Sequence, residues 1–136
     1  MRQAINDLKE HKTWLEIEIG DVKGALNRIA KLLKDLIKIA KSLIPGFSMS
    51  KLEKIFEPSE NYYGQGNVEA YEGSDVLSSY NEIKLKEGEQ KELQDALDEL
   101  EKEFNLVSDT LKRLEGLAQE IAKNTLNEMQ KKYASL

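Results

Sequence analysis

Few side chains in this sequence could do chemistry. His11 is the single histidine and cysteine is absent, so zinc sites built on thiolates or histidine pairs, and the paired Glu-x-x-His motifs of di-iron bundles, are ruled out by count. Asp7 stands one helical turn before His11 and is its expected surface partner. Glu99, Glu101 and Glu103 form a dense carboxylate run, but without the looped Asp-x-Asp-x-Asp-Gly spacing that wraps calcium. They are expected to form a solvated helix face. Gly64-Gln65-Gly66 has glycines at a phosphate-loop spacing, yet no Gly-Lys-Ser/Thr follows and no strand pattern precedes it. The residues therefore predict no catalytic centre, no metal and no cofactor.

The elements that carry these residues follow from apolar spacing. Ile5, Leu8, Lys12, Leu15, Ile19, Val22, Leu26, Ile29, Leu33, Leu36, Ala40 and Leu43 lie three and four apart, with Lys12 the one polar member. A 3-4 spacing sustained this long marks a helix that lays one stripe along a partner helix. It predicts a helix over 3–44, about 60 Å long at ~1.5 Å per residue, stopped by Pro45 and Gly46. Leu93, Leu97, Leu100, Phe104, Val107, Leu111, Leu114, Ala118 and Ile121 repeat the spacing in a second helix, expected over 75–134 with a kink near Gly88. Its stripe drifts onto Ala122, Leu126, Met129 and Tyr133, as a 3.6-residue turn does against a 3.5-residue repeat.

Length and charge bound the rest. A chain of 136 residues suits a single helical domain spanning 1–136. A net charge of −5 disfavours nucleic acid, whose binding draws on a strongly basic surface. No apolar run approaches the ~20 residues that span a bilayer, and nothing near Met1 reads as a signal peptide. Charge also differs along the chain. Residues 23–44 carry six bases against Asp35, whereas residues 82–103 carry nine acids and four lysines. Opposite charge predicts an antiparallel hairpin in which paired residue numbers add to about 136, since a sum near 114 would bring Glu16 and Glu18 toward Asp95 and Asp98. The predicted fold is all-α: a long, coiled-coil-like antiparallel hairpin within a helical bundle.

Residues 45–74 form a connection far longer than the ~2 to 8 residues usual between bundle helices. Ser50 as N-cap, Leu52, Ile55 and Phe56 on one face and Pro58 as terminator predict a short connector helix. Ser74 or Asp75 caps the second long helix. From Ala25 to Ile44 the first helix has a widened apolar face, with Ala25, Ala30, Leu32, Ile37, Ile39 and Ile44 beside the seam. Either the connector folds back over this face or a partner protein covers it. Trp14, Ile17, Leu106 and Leu126 fall off the seam, and Trp14 is a candidate partner contact.

Tyr62-Tyr63-Gly64, followed after a spacer by Ala70-Tyr71, places an aromatic-x-Gly turn and an Ala-aromatic helix start between the arms of the hairpin. This arrangement resembles the WXG family of small helical-hairpin proteins exported by type VII (ESX) secretion systems. In that family Trp-x-Gly forms the hairpin turn. Tyrosine stands for tryptophan here, and the family's Tyr-x-x-x-Asp/Glu export signal is missing, since only Ala134, Ser135 and Leu136 follow Tyr133. The resemblance therefore implies a targeting partner for an LXG-type secreted toxin, cytoplasmic before export and secreted without a cleavable signal peptide.

The expectation is a non-catalytic protein-protein interaction module. Its partner is a helical protein, a secreted toxin by the resemblance, or a second copy in a homo-dimer. The candidate contact residues are Trp14, Leu32, Ile37, Ile39, Tyr62, Gly64 and Tyr71. Two other readings stay open. One is a minor pilus component of a conjugative type IV secretion machine, which also combines long helices with an irregular insertion. The other is a membrane-active protein that uses the lysine-rich amphipathic segment 24–44.

Overall fold

The computed structural model describes residues 1–56 and 74–134. Three helices account for nearly all of them: α1 over Arg2–Leu43, α2 over Met49–Phe56 and α3 over Asp75–Ala134. No strand occurs among the described residues. The all-α hairpin stands, with α1 packed against α3. Contacts group into two compact units, one of Met1–Lys23 with Ala96–Leu136 and one of Gly24–Asp95.

Local chemistry explains the helix ends. Beyond Leu43 the Ile44 amide still bonds the Ala40 carbonyl, and the Phe47 amide then bonds the Ile44 carbonyl. Between them Gly46 takes a φ of 73°, the left-handed conformation that costs other residues ~1 to 2 kcal/mol. Pro45 and Gly46 thus act as the stop their types predict. α2 starts at Met49, one residue ahead of the predicted cap Ser50, and its Leu52 amide bonds the Ser48 carbonyl. Pro58, the predicted terminator, lies outside the described residues. At the start of α3 the Ser74 hydroxyl accepts the Leu77 amide at 3.2 Å, so Ser74 is the N-cap. Ser74→Ala should cost ~0.5 to 2 kcal/mol in chemical denaturation while Ser74→Asp retains most of it. α3 runs on through Gly88 without a break.

In the first unit the predicted stripes meet. Leu15, Leu97, Val107 and Leu111 are buried, and Ile5, Leu8, Phe104, Leu114 and Ala118 are half-buried around them. Lys12, the polar member of the stripe, is accommodated with its Nζ 5.6 Å from the Phe104 ring centre, a cation–π contact that lets the stem pack and the charge stay wet.

The register differs from the one read from charge. His11 lies beside Glu103, Lys9 beside Glu115 and Lys12 over Phe104, where numbers adding to about 136 would place them near residues 124 to 127. Exposed ion pairs are worth only ~0 to 1 kcal/mol each, too little to move a seam of large aliphatic side chains. The acids whose repulsion argued for the other register are mostly solvated: Glu16, Asp95 and Asp98 are exposed and Glu18 is half-buried.

The second unit has the larger apolar core. Leu33, Ala40, Phe47, Leu52, Tyr80 and Ile83 form one buried cluster, with Leu36, Ile37, Ile44, Met49, Ile55, Phe56 and Val76 packed against it. α2 is tied to α3 by the Phe56 and Tyr80 rings, 4.9 Å apart and tilted by 54°, and at the rim by Lys84 and Glu53 at 3.9 Å. Part of the widened face of α1 is thus covered from within, by the connector helix and the start of α3.

Candidate protein-binding surface

What the connector leaves uncovered follows from helical periodicity. Leu32, Ile39 and Leu43 are seven and four residues apart, close to whole turns, and share one line on α1. They are 40%, 54% and 74% exposed. Leu33 and Ala40, each one residue on, are buried. The line borders the core without belonging to it, and exposed Arg28, Lys31 and Asp35 rim its other side. An aliphatic strip with a charged rim is the composition of an interface centre.

Of the residues singled out by sequence, Leu32 and Ile39 come together on this line. Ile37 sits on the other flank of α1, half-buried against the cluster of Tyr80 and Ile83. Leu43 joins the line although its spacing first placed it on the seam. Its position as the last residue of α1 was the available signal, because a seam ends where its helix ends. Tyr62, Gly64 and Tyr71 lie outside the described residues.

Trp14 belongs to the first unit and is 50% exposed. Its ring stacks on His11, with centres 5.7 Å apart and planes 14° from parallel. His11 is held by Glu103, whose Oε1 lies 2.9 Å from Nε2. Asp7, the expected partner of His11, instead accepts a hydrogen bond from Gln3 Nε2 at 2.8 Å. The contact across the helices prevails over the one along the helix because the observed register puts Glu103 within reach. Glu103 thereby fixes the imidazole and the imidazole backs the indole, so one face of Trp14 is supported and half its surface is left to solvent. Ile17, one turn on, is also exposed. A braced, half-exposed aromatic beside an aliphatic residue is a candidate contact element, since little side-chain freedom remains to be lost on binding.

No polar or charged residue is buried among the described residues, and no three acids or histidines there are placed to hold a metal ion. Their longest helices include none apolar enough to cross a membrane. No known family, characterised protein or solved structure matches the chain.

Proposed function

We propose that this chain is a non-catalytic helix-binding module, which docks an amphipathic helix of another protein along Leu32, Ile39 and Leu43. The observation that carries the reading is the position of this strip. The unit already has a filled core in Leu33, Ala40, Tyr80 and Ile83, so the strip is apolar surface beyond what folding uses. Helix-in-groove recognition draws on anchors spaced by whole turns, as these are. The braced Trp14 in the other unit is a second contact element of the same kind.

The resemblance of Tyr62-x-Gly64 and Ala70-Tyr71 to the WXG motif supports placing the partner in a type VII system, with this chain as the targeting partner of a secreted toxin. That step rests on sequence alone. The tagged chain should retain one helical protein from native cell extract. Leu32→Glu with Ile39→Glu should abolish retention while leaving helicity unchanged, because both side chains are exposed. Retention of the same protein by the double variant would remove the strip as the docking site, and loss with Tyr62→Ala would support the motif. Capture by anionic vesicles that is lost in the double variant would replace the proposal with the membrane-surface reading, in which flanking lysines meet headgroups.

A further inference from the structure

The second half of α1 carries a charge pattern that folding does not use. Arg28, Lys31, Lys34, Lys38 and Lys41 stand three and four residues apart, so each neighbours the next on the helix surface. All five are exposed, and Asp35 is the one acid between Gly24 and Leu43, on a chain whose net charge is −5. Like charges at this spacing weaken a helix, and the structure offers no internal relief. Among the described residues none of the five takes part in an ion pair, although residues 82–103 of the same chain hold nine acids. The helix dipole favours a base in the last turn, which accounts for Lys41 and not for the other four. Over 2–22 the same helix mixes signs, with Arg2, Lys9 and Lys12 among five acids, so the segregation begins where the apolar face widens.

We infer that the occupant of the strip is an acidic amphipathic helix, with carboxylates beside its apolar anchors. The inference rests on the helix-docking reading above and names the partner's chemistry. Leu32, Ile39 and Leu43 supply the apolar line, and charged rows run beside it in the same repeat. Arg28 and Asp35 each stand four residues before a member of the line, and Lys31 and Lys38 each stand one residue before. A helix laid on the line presents its own flanking positions to these rows, as the e and g positions of a coiled coil do. Acids there meet Arg28, Lys31 and Lys38 and relieve part of the repulsion along α1. Pairs at such a rim set association rate, orientation and choice of partner more than raw affinity. Asp35 is the single mismatch, and a base of the partner fits opposite it. A bilayer fits the face less well. Interfacial helices sink a broad apolar face into the headgroup boundary, whereas Leu33 and Ala40 beside the line are already taken by the core, and the apolar surface left outside is one residue wide.

Titration of the full chain with synthetic helical peptides tests the inference. One peptide carries leucines seven and four residues apart with glutamates beside them, a second has lysine in place of each glutamate, and phosphatidylglycerol vesicles form the third arm. The glutamate peptide should bind at least about 10-fold more tightly than the lysine peptide, and the difference should shrink at high salt. Lys31→Glu with Lys38→Glu should reverse the preference. Because it removes like-charge neighbours, this variant should melt no lower than the wild type, so lost binding cannot be lost folding. Asp35→Lys should do the opposite, tightening the glutamate peptide by about 3-fold while lowering the melting temperature. Equal binding of the two peptides, lost in both cases with Leu32→Glu and Ile39→Glu, would overturn the acidic partner and leave the strip as a docking site. No binding of the glutamate peptide would overturn the inference alone, since the docking reading is judged by retention from native extract. Vesicle binding that is lost with Lys31→Glu and Lys38→Glu, without any preference between the peptides, would give the bases to a membrane surface and overturn the inference as well.

Discussion

Tyr80→Ala is expected to unfold the second unit at denaturant concentrations that leave the wild type intact. Tyr80 is among the largest fully buried side chains. It touches the Phe56 ring of α2 and shares a cluster with Leu33 and Ala40 of α1 and Ile83 of its own helix. Truncating a buried aromatic costs ~3 to 5 kcal/mol, a large part of the ~5 to 15 kcal/mol that holds a domain together. The loss should exceed that of an ordinary core lesion because α2 is only 8 residues long and depends on tertiary contacts for its helicity. Hydrogen exchange should therefore quicken over 49–56 before it quickens over 24–40. Tyr80→Phe keeps the ring and should remain within ~1.5 kcal/mol of the wild type. Equal loss in both variants would mean that packing is not what Tyr80 contributes.

Leu15→Ala should be the matching lesion in the first unit. Leu15 is fully buried at the seam between α1 and α3, and Leu→Ala at such a site costs ~2 to 5 kcal/mol. Among the described residues the first unit has no third helix to close over the vacancy, so the cost belongs in the upper part of that range. Trp14 and His11, one turn or less away, supply the readout. If the seam loosens, His11 separates from Glu103, the stack on Trp14 is lost, and the fluorescence of the single tryptophan changes at the same denaturant concentration as helicity. A fluorescence transition well ahead of the helicity transition would place the stack outside the cooperative core.

Helix identity was legible because a 3-4 spacing over many turns has few other solutions, and Pro45, Gly46 and Ser74 mark their boundaries by backbone chemistry that tolerates few alternatives. Register was not. Lys9, His11 and Lys12 could find acceptable partners at several positions of an acid-rich helix, and exposed charge pairs are too weak to choose among them. The choice falls to apolar residues such as Leu15, Val107, Tyr80 and Ile83, whose fit in three dimensions leaves little trace in spacing alone. The same limit applied to the surface. Leu32, Ile37 and Ile39 look alike in sequence, and only the docking of α2 and Tyr80 decides that Ile37 turns inward while Leu32 and Ile39 stay out. Trp14 was visible as an off-seam aromatic, but its support by His11 and Glu103 depended on the register.

The claim that the outer strip of α1 is a docking site is tested most directly by photo-cross-linking in the native cells. A benzophenone side chain placed at Leu32 or Ile39 should give one discrete adduct with a helical protein, and the same group at Lys34, exposed on a different face of α1, should give none. Absence of an adduct at Leu32 and Ile39, or the same set of adducts at all three positions, would contradict the account.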